Sequence, residues 1–469
     1  MMKYDVIIVG AGPAGVFAAY EFMAKAPNLK ILLIDKGKNI YNRKCPINEH
    51  KIEKCPIIDG KSGCKPACSI TNGFGGAGAF SDGKFNITTE YGGWLTDYLD
   101  DNIVIDLINY VDSIYVKYGA PEEITDPNTN HVREIERRAI AVGLKLLRGK
   151  VRHLGTENNL KIQERIFEDL KKNNIDMLFE QDVMDVLVND NSIKGVKLKN
   201  GDEILADNVI LGVGRDGASW LEDICKKLKI KMTNNQVDIG VRVETNDIVM
   251  EEINNTLYEG KFLYRTSVGT VVRTFCSNPS GHVVVENHSG TMLANGHAYY
   301  DKNLGSTNTN FALLVSHKFS DPFDLPNEYA HQVARLANEL SCGSIIVQRY
   351  GDIARGRRTT QKRIDEGFVK PTLKEAVPGD LGLVLPYNTM KSIIEMIEAL
   401  DHVTPGIANE HTLFYGVEAK FYSARPEIDK DFQTKIKGLY VAGDGAGLTR
   451  GLAQAGANGV YIARKIIEK

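Results

Sequence analysis

The sequence predicts an α/β fold in which a discontinuous, Rossmann-like dinucleotide-binding domain is interrupted by an inserted α+β domain. Three observations predict it. The chain opens on a strand, glycine turn, helix and second strand ("YDVIIVGAGPAGVFAAYEF", then "KILLID"), and it closes on another strand, glycine turn and helix ("GLYVAGDGAGLTRGLAQAGANGVYIARKII"). Between them, strand-like runs ("VDIGVRVET", "GTVVRTFC", "GHVVVENH") precede helical ones ("EYAHQVARLANEL", "MKSIIEMIEAL") over residues 230–404. At 469 residues the chain exceeds one hydrophobic core, which sets an expectation of roughly two or three domains.

The first unit places Gly10, Gly12 and Gly15 in G-x-G-x-x-G spacing directly after the apolar run Val6 to Val9, with a helical pattern from Ala14. Gly10 allows the tight turn, Gly12 lets backbone approach a pyrophosphate, and Gly15 lets the helix pack on the strand. The helix N-terminus at Pro13 offers unpaired N–H groups and a partial positive charge to phosphate. The second strand ends at Asp35, 20 residues beyond Gly15, where a carboxylate accepts hydrogen bonds from an adenosine ribose. Lys36 follows it. This much is common to FAD and NAD sites.

The far end decides between them. After Leu439 to Ala442 come Gly443, Asp444 and Gly445, then a small-residue helix beginning near Gly451, with Leu452 and Ala453 in its first turn. This resembles the C-terminal flavin motif of the glutathione-reductase-like flavoproteins, in which the aspartate binds the ribityl chain and the helix N-terminus faces the flavin pyrimidine. A reduced flavin carries negative charge there, which a helix N-terminus stabilises. Gly212, Gly214 and Gly217 repeat the G-x-G-x-x-G spacing after a third strand, but they follow a β-meander, starting near Val183, with turns at residues 189–191 and 200–201. The resemblance implies a strand passing under the FAD pyrophosphate; a separate NAD(P) subdomain is the other reading. Across nearly its whole length the sequence resembles the largely uncharacterised FAD-dependent dehydrogenases or oxidoreductases of that type, on "VGAGPAG", "GFGGAGAFSDGK", "NPSGHVVVENHSGTMLANG", "FYGVEAKFYSARPEI" and "GLYVAGDGAGLTRGLAQA". The expected architecture is therefore a discontinuous Rossmann-like FAD-binding domain, residues 1–90, 150–229 and 405–469, with a helical edge segment at 91–149 and an inserted α+β substrate/cap domain at 230–404.

Gly73, Gly75, Gly76, Gly78 and Gly83 fall within eleven residues, a density that weakens both helix and strand. In related flavoproteins such a loop lies along the isoalloxazine, which implicates Gly75, Gly76, Ala77, Ser81 and Lys84. Directly upstream, Cys45, Cys55, Cys64 and Cys68 stand in C-x9-C-x8-C-x3-C spacing, which matches no standard zinc ribbon or ferredoxin run. An iron–sulfur cluster, zinc, a redox-active dithiol and unliganded thiols all stay open.

Candidates for the reacting end are four. His288, in "ENHSG", is a proton donor that titrates near neutrality; Arg357, in "RYGDIARGRRTTQKR", suits a carboxylate or phosphate; Tyr415 and Arg425, just ahead of the last FAD segment, are expected to return to the ring. Partners expected are a small-molecule substrate and an electron donor, NAD(P)H or a ferredoxin-like carrier. The net charge of −3 supplies no field for nucleic acid or anionic membrane. No apolar run reaches membrane-spanning length, and the first residues lack a signal-peptide pattern, so a cytoplasmic location is expected.

Overall fold

The computed structural model describes residues 3–46, 51, 64–81, 83–257, 260–288, 290–299, 302–320, 322–323 and 325–469. They form two units: residues 1–125, 149–233 and 423–469 in the first, and 126–148 with 234–422 in the second.

The first unit is organised on five parallel strands in the order Asp176–Phe179, Ile31–Asp35, Lys3–Val9, Glu203–Leu211 and Leu439–Val441. Val6, Ile7, Ile8, Leu33 and Ile34 are fully buried, as strands covered on both faces require. The first half of Glu203–Leu211 pairs antiparallel with Ser192–Leu198, which pairs with Val183–Asn189. The connection between these two turns at Asp190 and Asn191, both with positive φ (48° and 54°), the combination a two-residue hairpin turn requires. Helices Pro13–Lys25 and Leu452–Ile467 pack against each other. They meet tightly at Gly459, where a Cβ would lie 1.9 Å from the Ala14 carbonyl oxygen.

The second unit holds an eight-stranded sheet. Its order is Val377–Pro378, Ile346–Arg349, Leu413–Lys420, Val237–Asn246, Asn308–His317, Val271–Asn278, Lys261–Arg265 and Leu144–Leu147. All neighbours are antiparallel except the first pair. Helices Pro326–Leu340 and Tyr387–Asp401 bury one face, and the hairpin His282–His288/Thr291–His297 reaches the central strand through Asn295.

Two expected boundaries move. The segment 91–149 divides: helix Asp101–Lys117 stays in the first unit, whereas helix Asn130–Ala141 and strand Leu144–Leu147 belong to the second, because that strand pairs with Lys261–Arg265. Residues 405–422, expected in the last FAD segment, also fall in the second unit, since Leu413–Lys420 is hydrogen-bonded between Val237–Asn246 and Ile346–Arg349. Apolar patterning announces a strand but not its partner.

Candidate functional site

The first unit gathers its glycine turns at the carboxyl ends of the parallel strands, where open α/β sheets bind ligands. Gly10 has φ +103°, and a Cβ there would meet the Gly212 carbonyl oxygen at 2.3 Å; one on Gly15 would meet the Gly10 carbonyl oxygen at 1.9 Å. These two glycines are demanded by backbone packing. Gly12 is not: a Cβ on it would touch nothing within 4 Å. The helix it begins, Pro13–Lys25, has no side-chain cap, so its first N–H groups face that open space.

Asp35 ties this turn to its neighbours. One carboxylate oxygen accepts the N–H groups of Gly37 (2.7 Å) and Gly73 (2.9 Å), and the other accepts that of Ala11 (2.8 Å). An ionised carboxylate has about four acceptor positions, so one remains for a ribose hydroxyl. Lys36 is ion-paired with Asp216 at 2.6 Å.

The glycine-dense loop lies on the same turn. Gly75 donates its N–H to the Ala11 carbonyl (2.7 Å), and a Cβ on Gly76 would sit 2.9 Å from the Gly12 Cα. Ala77 is exposed. The Ser81 hydroxyl donates to the Gly78 carbonyl at 2.7 Å and accepts the Gly83 N–H at 3.2 Å, so it closes a local turn ahead of Lys84, the first residue of strand Lys84–Ile87. Arg43 clasps the loop. Its guanidinium donates to the carbonyls of Ser69 (2.9 Å), Ile70 (2.8 Å) and Phe74 (2.5 Å) and lies over the Phe80 ring; burial pulls its pKa down to about 10, against the pull of Asp35 and Cys68.

The last chain segment completes the wall. A Cβ on Gly445 would meet the Gly214 carbonyl oxygen at 2.3 Å, and one on Gly443 would touch the Ala14 Cβ at 3.4 Å. The Gly443 N–H is held by Asn458 (2.9 Å). The Thr449 hydroxyl donates to Asp444 at 2.7 Å; burial pushes the Asp444 carboxyl up from its usual range, opposed by that hydroxyl, Arg215, Arg450 and the Gly451 N–H. Gly214 (φ +66°) and Gly451 (φ +98°) resemble Gly12 in that a Cβ on either would meet nothing within 4 Å. Gly451 begins helix Leu452–Ile467, which also lacks a side-chain cap. Leu452 and Ala453 are its first residues, and the Leu452 side chain abuts Gly78 of the loop.

Three open glycines, two uncapped helix N-termini and two carboxylates thus surround the Gly10 to Gly15 turn. This donor set fits FAD: N–H groups for the pyrophosphate, Asp35 for the adenosine ribose, Asp444 for the ribityl chain and the second helix N-terminus for an electron-rich ring. Two buried polar residues that the sequence reading passed over stand against the glycine loop. The Asn159 amide donates to the Gly78 carbonyl (2.6 Å), and the Gln163 carbonyl oxygen lies 3.0 Å from where a Gly75 Cβ would be. Among the described residues, Asn159 Oδ1 and Gln163 Oε1 have no hydrogen-bond partner. Their signal was a polar pair at i, i+4 on the buried face of helix Thr156–Lys172.

The other predicted residues are divided between the two units. Val183 is buried at the start of its strand. Of the cysteines, Cys55 lies outside the described residues; Cys45 sits two residues beyond Arg43, and Cys68 one residue before Ser69, to which Arg43 bonds. Among the described residues no group of three or more His, Cys, Asp or Glu could hold a metal ion. Arg425 stacks over Trp94 and pairs with Asp97 at 2.7 Å, all in the first unit. Tyr415, which like it was expected to return to the ring, is fully buried in the sheet of the second unit, its hydroxyl donating to Glu244. His288 stacks on Phe421 (4.4 Å), whose other neighbour is His331 (4.4 Å). Arg357 donates from Nε to the buried Asp352 at 2.7 Å.

The second unit also holds charges the sequence reading missed. Asp238, Arg242 and Glu244 occupy even positions of one central strand, with Gly240 between the first two, and all three are fully buried. Arg242 pairs with the equally buried Glu418 at 2.7 Å and donates to the Cys276 carbonyl (3.0 Å) and Asn295 (3.1 Å). Asp238 accepts from Ser316 (2.7 Å), Arg273 and Tyr422. Glu244 accepts from Asn308 (3.1 Å), the Thr372 hydroxyl (2.5 Å) and Tyr415; burial drives its carboxyl up. The period-two spacing of D, R and E in "VDIGVRVET" was the available signal.

Three family models match parts of the chain. Residues 236–421 match the family model described as FAD-dependent protein, C-terminal domain-like; residues 145–249 match that of the pyridine nucleotide-disulphide oxidoreductases; residues 1–40 match that of the Thi4 family. An uncharacterized protein of Clostridium beijerinckii is 26% identical over 488 residues, spanning 100% of this chain and 81% of its own. Among solved structures, L-proline dehydrogenase from P. horikoshii is 12% identical over 100% of this chain and 94% of its own, with a TM-score of 0.36. Glycine oxidase from Geobacillus kaustophilus is 11% identical over 100% and 96%, with a TM-score of 0.37.

Proposed function

We propose that this chain, an FAD-dependent oxidoreductase, moves a hydride or electron pair between flavin N5 and a small organic substrate. FAD when bound supplies reversible two-electron chemistry. The chain's own residues hold and orient it. Gly12 and the N-terminus of helix Pro13–Lys25 take the pyrophosphate, the free acceptor position of Asp35 takes a ribose hydroxyl, Asp444 takes the ribityl hydroxyls, and the N-terminus of helix Leu452–Ile467 favours negative charge on the ring. The observation that carries this reading is that a Cβ on Gly12, Gly214 or Gly451 would meet nothing within 4 Å, while Gly10, Gly15 and Gly445 are forced by backbone contact. His288 and Arg357 are proposed for proton supply and for substrate anion binding. The test is the visible spectrum of purified protein reconstituted with FAD, before and after NADPH. Flavin bands that bleach on reduction support the reading, and colourless protein overturns it.

A second reading draws on the position of Cys68, next in the chain to Ser69, whose carbonyl accepts from Arg43 together with those of Ile70 and Phe74 in the glycine loop. In it, an iron–sulfur cluster held by Cys45, Cys55, Cys64 and Cys68 carries electrons, or the thiols themselves are the redox partner and the chain acts as an electron-transfer flavoprotein. Iron and acid-labile sulfide analysis separates the two: stoichiometric iron supports the cluster, and its absence from anaerobically purified protein removes it.

A further inference from the structure

We infer that Asn159, Gln163 and Gln454 are cofactor-positioning residues, their side-chain carbonyl oxygens accepting hydrogen bonds from the ribityl hydroxyls and the imide N–H of the flavin. The inference rests on the flavin reading above and adds to it the residues that read the flavin half of FAD. Among the described residues, the buried carboxamide oxygens without a hydrogen-bond donor are those of Asn159, Gln163, Asn327 and Gln454, and all but Asn327 belong to the first unit. Those three side chains are at most 3% exposed. Which end of the amide is left over is set by the backbone. Asn159 commits its NH2 group to the Gly78 carbonyl (2.6 Å) and Gln454 to the Tyr91 carbonyl (3.2 Å); turning either amide over would set oxygen against oxygen, so the carbonyl ends remain as acceptors. Gln163 makes only a long bond, 3.4 Å, from its NH2 group to the Tyr115 hydroxyl.

Glycines leave two of these oxygens uncovered. A Cβ on Gly75 (φ +82°) would stand 3.0 Å from Gln163 Oε1, and one on Gly93 (φ +146°) 2.3 Å from Gln454 Oε1. A desolvated acceptor with no donor destabilises the empty protein, and a site built to meet a ligand's O–H or N–H is where such an atom belongs. Their neighbours decide which groups they meet. The stretch from Gly75 to Gly78 reaches from one helix N-terminus to the other: a Cβ on Gly76 would lie 2.9 Å from the Gly12 Cα, and one on Gly78 2.3 Å from the Leu452 side chain. In FAD the ribityl chain links the pyrophosphate, assigned above to Gly12, to the ring, assigned to the N-terminus of helix Leu452–Ile467. Asn159 and Gln163, packed against that stretch, are therefore placed for the ribityl hydroxyls. Gln454 stands in the first turn of the second helix. The segment it holds runs beside the approach to that helix, with the Trp94 N–H on the Leu448 carbonyl (2.9 Å) and the Arg450 N–H on the Gly92 carbonyl (2.8 Å), so its oxygen is assigned to the imide N–H of the pyrimidine edge. The pyrophosphate offers acceptors only, and these three oxygens have no part in holding it.

The test is isothermal titration of the flavin-free full chain with FAD, with N3-methyl-FAD and with ADP. Gln163→Met is expected to weaken FAD by about tenfold or more and to keep ADP within about threefold. The same variant should leave the urea midpoint of flavin-free protein unchanged or raised, because it removes an unpartnered oxygen and little else. A merely structural glutamine would lower that midpoint and weaken both ligands. Asn159→Leu is expected to show the same selective loss of FAD over ADP. Wild type should bind N3-methyl-FAD about tenfold or more weakly than FAD, and Gln454→Met should bind the two alike. Unchanged FAD affinity in Gln163→Met, ADP weakened as much as FAD, or wild type that does not distinguish N3-methyl-FAD from FAD would each overturn the inference. Wild type that takes up no FAD defeats the flavin reading itself, a result read before any variant is made.

Discussion

Asp35→Asn separates two roles that resemblance to other flavoproteins would merge. If the carboxylate only met the ribose, the change would weaken FAD and leave the empty protein untouched. In the structure it accepts three backbone N–H groups, from Ala11, Gly37 and Gly73. An amide offers one accepting atom, so whichever way it is turned at least one N–H meets an NH2 group. The better orientation keeps Gly37 and Gly73 and leaves Ala11, which is fully buried, facing a donor. Losing a charge-assisted bond and stranding a buried donor costs about 2–4 kcal/mol. Trp94 and Trp220 are the two tryptophans of the chain, and both lie in the first unit, so their fluorescence follows that unit alone. The urea midpoint of flavin-free protein is expected to fall by on the order of 1 M, and FAD affinity by tenfold or more, since about 1.4 kcal/mol is one decade. An unchanged midpoint with weakened FAD binding would refute the assignment of Asp35 as the tie between the strand end and the glycine loop.

Other outcomes follow from the same contacts. Gly459→Ala puts a methyl 1.9 Å from the Ala14 carbonyl oxygen and should destabilise the first unit by about 1–3 kcal/mol; Gly456→Ala meets the movable Val111 side chain at 2.9 Å and should cost less, both read by tryptophan fluorescence in urea. Gly451→Ala adds no clash, but its φ of +98° strains a side chain by about 1–2 kcal/mol, so the flavin retained through gel filtration should drop while the unit stays folded. In the second unit, burial holds the Glu244 carboxyl above its ordinary 4.5. The folded form therefore keeps a proton that the unfolded form loses, and stability is full below 4.5 and declines as pH rises through the elevated value. Thermal unfolding followed by circular dichroism should show that decline, and Glu244→Gln should flatten it; a slope that survives the substitution would assign it elsewhere.

The cradle was the legible part of this protein, because a dinucleotide turn leaves its constraints in a row: Gly10, Gly12 and Gly15 answer three different steric demands within six residues, and Asp35 stands where the next strand must end. The closing helix was legible for the same reason, since Gly451 and Gly459 mark a positive φ and a close helix contact. What escaped was non-local. Nothing in "LFYGVEAK" says that it pairs with Val237–Asn246, so the strand that holds Tyr415 was expected in the last FAD segment and belongs instead to the sheet of the second unit. Asp238, Arg242 and Glu244 carried no signal of burial, because charge spaced among valines implies exposure unless another layer covers it; here Asn295, Glu418, Tyr422 and Thr372 do. Asn159 and Gln163 were hidden by a helix that is otherwise amphipathic.

The groove of the first unit is lined by both ends of the chain: its floor is the turn at Gly10 to Gly15, and one wall is the stretch from Gly443 to Gly459. A nascent polypeptide that stops short of Leu439 has the floor and no wall.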